Sequence, residues 1–129
     1  MNLAVTSSNG VLESIEDEVS ALRAVGVTVH VYCDVGAPLS PSTAELAVDV
    51  TRTALRRLVR HTDARNAWLV LVVTDHVEGY VRDNGVALHN ERLDLMFVGD
   101  RVIASGGTFA VFAIDVGGTE VRFSLPLDI

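Results

Sequence analysis

The 129-residue sequence has one cysteine, Cys33, so no internal disulfide can form. Cys33 lies in an apolar, strand-like run and reads as a small buried hydrophobe rather than a reactive thiol. His30, His61, His76 and His89 share no tight ligand spacing with one another or with Cys33, which argues against a Cys/His metal site. No stretch approaches the roughly 20 apolar residues of a membrane helix. The opening Met1 to Gly10 lacks a basic region and has too short an apolar stretch for a signal peptide, so the expected location is the cytoplasm. Positive charge is scarce as well. Ten Lys and Arg stand against 17 Asp and Glu, for a formal net charge of −7. A surface of that sign repels a phosphate backbone and excludes a general nucleic-acid binder. Internal repeats, low-complexity tracts and linkers are missing too.

What is present is a folding sequence. Hydrophobic residues are 49% of the chain and charged residues 21%, a composition that disfavours disorder. The length suits one domain over residues 1–129 with its core in 12–127, able to bury about two thirds of its unfolded surface.

Residues 1–10 read as a lead-in. Leu12, Ile15, Val19, Leu22 and Val25 then recur every three or four positions, with acidic residues between them, and predict an amphipathic helix stopped by Gly26. Val27 to Tyr32 alternates and is rich in β-branched residues, as a strand would be. A second helix is expected from about Pro41 to His61. Its N-cap is a serine, its buried stripe is Leu46, Val50, Ala54 and Leu58, and Arg52, Arg56 and Arg60 form a basic ridge.

The second half reads as mostly β. Ala67 to Thr74 is a nearly continuous apolar run, long enough for a buried strand. Val77 to Arg82 alternates and forms a hairpin with it. Asp83-Asn84-Gly85 is a turn signal, followed by an irregular segment to about Val98 and a short helix over Gly99 to Ser105. Thr108 to Ile114 and Thr119 to Leu125 are the last two strands, joined through Gly117-Gly118. The expected architecture is an α+β two-layer sandwich: a mixed, mostly antiparallel sheet with helices on one face.

Two motifs point further. Asp83-Asn84-Gly85, followed by Gly117-Gly118-Thr119-Glu120-Val121-Arg122-Phe123-Ser124-Leu125-Pro126-Leu127, resembles the catalytic ATP-binding domain of sensor histidine kinases, members of the GHKL or Bergerat-fold ATPases. The likeness is to the nitrate-sensor class. Thr53 to Ala64 lines up with the N-box helix of that class, and the resemblance covers about residues 12–127. It implies that Asp83 accepts a hydrogen bond from an adenine amino group, that Gly85 leaves room for the base, and that Thr119 helps to hold it. A charged acceptor strengthens such a bond.

The phosphate end departs from the family pattern. The N-box asparagine that binds magnesium is Arg57 here, and the glutamate one turn earlier is Thr53. Arginine offers no oxygen ligand, and its charge repels the ion, so magnesium binding is not expected. The third glycine of the Asp-x-Gly-x-Gly box is Ala87, and of the glycine-rich lid only Gly99 remains, in a stretch Leu93 to Gly99 that is otherwise largely apolar. Arg60 and His61 match basic positions that lie near phosphates in many relatives. Read on their own, they also suit a solvated helix end, and Asp83-Asn84-Gly85 also suits a plain turn.

The resemblance implies a degenerate, pseudokinase-like ATP-binding domain of two-component signal transduction. It would bind ATP or ADP weakly at best and act through protein contacts. The expected partner is another signalling protein: a phosphoacceptor domain, a response regulator or a sigma-factor antagonist. A homodimer is a further expectation. The alternatives are a working ATP-binding domain, with Arg57 contacting phosphates in place of magnesium and a separate phosphoacceptor protein, or an anti-sigma-type regulatory module.

Overall fold

The computed structural model describes residues 8–61, 63–86 and 93–129; side chains 8, 9, 61 and 93 are outside the description. The elements are α1 (Ser8–Ala24), β1 (Thr28–Val35), α2 (Pro41–His61), β2 (Asn66–Val73), β3 (Val77–Asp83), α3 (Leu93–Ala104), β4 (Thr108–Ala113) and β5 (Thr119–Leu125). The sheet order is β1-β2-β3-β5-β4. β1 and β2 are parallel, because α2 carries the chain back between them, and the other three pairings are antiparallel.

One face of the sheet holds Val29, Leu69, Leu71, Val73, Val77, Val81, Val121, Phe123 and Leu125, all buried in a single cluster with the inner stripes of the three helices. This is the expected mixed sheet with helices on one face. The stripe Leu46, Val50, Ala54 and Leu58 is buried as its spacing requires. Ser40 Oγ accepts the Thr43 N–H at 3.1 Å and caps α2. Among the described residues no helix is long and apolar enough to cross a membrane.

Four expectations need correction. Val25 is 63% exposed and not part of the α1 stripe. The helix stops one residue earlier, because Gly26 turns left-handed (φ 91°) and Val27 N–H closes back on Leu22 O at 3.0 Å. β1 runs on to Val35, paired in register with Val73. The third helix begins at Leu93, six residues before the expected Gly99, since Leu95, Val98 and Val102 form a buried stripe against the sheet. The apolar stretch Leu93 to Gly99 is therefore its first two turns. Cys33, expected to be buried, is half-buried on β1 at the edge of the core.

The β2–β3 turn carries a titrating group. His76 Nδ1 lies 2.6 Å from Asp75 Oδ1, and Nε2 lies 3.5 Å from Glu78 Oε1. The hydrogen bond to Asp75, then that to Glu78, raises the His76 pKa above its ordinary 6.5. The folded state thus favours the protonated ring. This contribution is present at acid pH and is lost as pH rises through the raised value. An NMR titration of the His76 ring is expected to give a midpoint above 6.5, and Asp75→Asn should move it down.

Candidate functional site

Arg57 sits one turn after Thr53 on α2, on the helix face turned toward the end of β3. It is only 6% exposed. Its Nη2 donates to Asp83 Oδ2 at 3.1 Å, and Asp83, the last residue of β3, is 2% exposed. The other carboxylate oxygen, Oδ1, accepts the Gly85 N–H at 2.9 Å. Both oxygens of the expected adenine acceptor are thus engaged from within the chain. Arg57 Nε is buried and, among the described residues, has no hydrogen-bond partner, a donor where a metal site would need an oxygen.

The surrounding loops close over the same place. Asn84 Oδ1 accepts the N–H groups of Arg65 (3.0 Å) and Asn66 (2.9 Å), and Asp63 Oδ1 accepts Val86 N–H at 2.8 Å. The segment after β3 is therefore laced to the segment after α2. Gly85, whose missing side chain was expected to leave room for a base, is packed against that segment. A Cβ there would lie 2.6 Å from Asp63 Oδ1 and 2.9 Å from Ala64 N. Thr119, at the start of β5, is 1% exposed, one step beyond the Arg82–Glu120 register pair. Gly118 (φ 103°) comes in so close that a Cβ would lie 1.8 Å from Asp83 O.

Arg60 lies elsewhere. It helps to wall a cleft of about 320 Å3 between α2 and α3, together with Arg52, Arg56 and Arg101. Arg60 pairs with Asp94 (3.2 Å) and Arg101 with Asp49 (3.1 Å), while Arg52 and Arg56 both reach Glu18 of α1. The basic ridge read from the sequence is thus largely neutralised by acids on α1 and α3. Asp83, Gly85, Arg57 and Thr119 do not line this cleft.

The structure therefore brings together Arg57, Asp83 and Gly85, with Thr119 beside them, and sets Arg60 on a separate cleft. The His61 side chain and Ala87 lie outside the described residues. Sequence reasoning missed Asp63 and Asn84, whose side chains lace the two loops, Glu18 and Asp94, which neutralise the ridge, and Asp49, which pairs with Arg101. An Asx-type side chain beside a glycine was the signal for Asn84; the other partners are distant in sequence and had none. Among the described residues no group of three or more His, Cys, Asp or Glu is gathered as a metal would require.

The residues present do not fit a magnesium nucleotide of the kind the family's motif residues hold. No hard oxygen ligand stands at position 57, and the carboxylate that should meet adenine is held by a guanidinium.

No family model and no curated protein matches the sequence. Solved structures do match in shape. The histidine kinase domain of the blue-light-activated kinase EL346 from Erythrobacter litoralis superposes with a TM-score of 0.72 at 16% identity, covering 91% of this chain and 60% of that one. The Acinetobacter baumannii histidine kinase AdeS gives 0.66 at 15% identity, covering 91% and 61%. The ATP-binding domain of PrrB from Mycobacterium tuberculosis gives 0.62 at 18% identity, covering 90% and 93%. The chain thus spans about 60% of the first two of these structures and nearly all of the isolated ATP-binding domain. It has the fold of the ATP-binding domains of histidine kinases.

Proposed function

We propose that this chain is a histidine-kinase-type ATP-binding domain whose nucleotide site is filled by its own arginine, and that it serves two-component signalling through protein contacts rather than ATP turnover. The supporting observation is the buried Arg57–Asp83 ion pair. Arg57 comes from the helix that carries the magnesium ligand in relatives, and Asp83 stands where relatives hold adenine. Their pairing answers both needs internally. To bind, a nucleotide must displace a guanidinium from a carboxylate in a site with little water, where that attraction is strongest.

The partner is a separate signalling protein: a phosphoacceptor domain, a response regulator or a sigma-factor antagonist. The cytoplasm is the corresponding location. Whatever nucleotide binding remains is weak and independent of magnesium.

Thermal denaturation with millimolar ATP or ADP, with and without magnesium, tests this. The expected result is no shift. A nucleotide at one hundred times its dissociation constant would add about 2.7 kcal/mol of stability, which is easily seen. A clear shift that disappears in Asp83→Ala would overturn the reading and favour a working ATP-binding domain.

A further inference from the structure

The sheet ends in two edge strands, β1 and β4, and they differ. A charged side chain on an edge discourages a foreign strand from pairing there, and β1 carries the exposed Asp34. β4 and the residue after it, Thr108-Phe109-Ala110-Val111-Phe112-Ala113-Ile114, hold no charge, no proline and no glycine. The register with β5 runs without a bulge from Thr108 to Ala113. Among the described residues β4 packs against β5 and α3, and its outer edge meets no strand. A regular, uncharged edge of aromatic and aliphatic residues is a template for strand addition.

The hydrogen-bond phase fixes which groups are open. Ile114 N–H donates to Gly118 O at 3.1 Å and Thr108 N–H to Ser124 Oγ at 3.2 Å, both toward β5. Direction alternates along a strand, so Phe109, Val111 and Ala113 turn their N–H and C=O groups to the open side. These three lie symmetrically about Val111. A second β4, antiparallel and centred on the same residue, pairs Val111 with its counterpart and Phe109 with Ala113, and every such pair exchanges two hydrogen bonds. The side chains fit that register. Phe109 meets Ala113 on the core side and Phe112 meets Ala110 on the other face, so each phenylalanine lies against an alanine. Moving the centre to Phe112 sets two phenylalanines together and Phe109 against Asp115; moving it to Ala110 carries Ala113 past the strand end. A two-fold interface needs a patch that complements itself, and β4 does so in backbone and side chains. α3 adds to it. Its Asp94, Phe97 and Arg101 face α2, and its Leu95, Val98 and Val102 are buried on the sheet. At about 100° per residue, Met96 and Ile103 fall on the third side, away from α2 and along the β4 edge, and both are exposed.

We infer that β4 is a self-association edge: two copies of this chain pair their β4 strands antiparallel about Val111 and join their sheets into one, with both helix layers on the same face. The inference goes beyond the reading above and uses neither Arg57 nor Asp83. The contact is about 20 Å of strand edge and one helix flank, less than the roughly 800 Å2 a side of a standard interface, so the dimer is weak and reversible, with dissociation in the high micromolar range. The strand pairing contains no ion pair and each copy carries a net charge of −7, so added salt does not weaken it.

Analytical ultracentrifugation of the full chain, from micromolar to millimolar concentration, reads the association. The wild type should pass from monomer to dimer. Val111→Pro removes an N–H that β5 does not use and should weaken the dimer at least about tenfold, with folding checked by circular dichroism. Tyr32→Ser, on the opposite edge, should leave it unchanged. Cysteine cross-linking reads the register, in a Cys33→Ser background with oxidised glutathione. Residue 110 of one copy stands directly across from residue 112 of the other, whereas 110 and its own counterpart are diagonal neighbours about 7–8 Å apart, too far to bridge. A mixture of the Ala110→Cys and Phe112→Cys variants should therefore form disulfide-linked dimers at least about tenfold faster than either variant alone. Both positions are exposed, so this arm stands even where the proline disturbs the fold. A wild type that stays monomeric to millimolar concentration overturns the inference. So does a dimer that survives in folded Val111→Pro or is lost in Tyr32→Ser, and so does a mixture that links no faster than its components.

Discussion

Arg57→Met is expected to lower the unfolding free energy by about 3–5 kcal/mol, because it strands the Asp83 carboxylate with its guanidinium partner gone. Asp83 is 2% exposed and retains the Gly85 N–H, and water cannot reach it to replace the guanidinium that is lost. Domains of this size hold about 5–15 kcal/mol in all, so the variant sits near the edge of folding. Asp83→Leu should cost a comparable amount, through the buried guanidinium it leaves alone. The double variant, with methionine and leucine in place of the pair, should recover most of the loss, since well-packed apolar groups often replace a buried ion pair at little cost. Urea titrations of the four proteins give the coupling energy. A simple sum of the two single losses would mean that Arg57 and Asp83 do not act as a pair. That result would also remove the support for a self-filled nucleotide site.

Gly118→Ala is expected to cost about 3 kcal/mol or more, and its neighbour Gly117→Ala about 1–2 kcal/mol. Both glycines have positive φ, 103° at Gly118 and 110° at Gly117, so an alanine is strained at either. They differ in what surrounds them. At Gly117 the nearest atom to a Cβ is Gly85 O at 3.8 Å, an ordinary contact. At Gly118 the methyl would fall 1.8 Å from Asp83 O and 2.7 Å from its carbonyl carbon, so backbone must move. That movement pulls the end of β3 away from β5 and takes the Asp83 carboxylate with it. Thermal melts of both variants check the order, and equal melting temperatures would show that the turn tolerates the displacement. The pair Gly117-Gly118, an ordinary hairpin turn in most chains, therefore also seats the carboxylate on which the candidate site is centred.

The spacing of apolar residues was enough to specify α2, both hairpins and the mixed sheet, because those features depend on periodicities of 3.6 and 2 that neighbours in sequence set directly. Where it failed, the cause was also local. Leu95, Val98 and Val102 offered too short a stripe to mark the start of α3, and the spacing carried the α1 stripe one residue too far, to Val25, although Gly26 was read correctly as its stop.

The sequence by itself determined which residue types stand at positions 53, 57, 83 and 85, and hence that the side chain at 57 offers no oxygen ligand. Only the tertiary structure decided what that arginine does. Arg57 and Asp83 are 26 residues apart, and they meet because α2 crosses the sheet at one rotation and one height, settled by the packing of Ala54, Leu55 and Leu58 rather than by the charges. The same holds for Glu120, 1% exposed between Arg82 (3.1 Å) and Arg122 (2.7 Å), whose partners follow from strand register. Periodicity is a property of neighbours along the chain, whereas pairing across 26 or 38 residues is a property of how whole elements come to rest against one another.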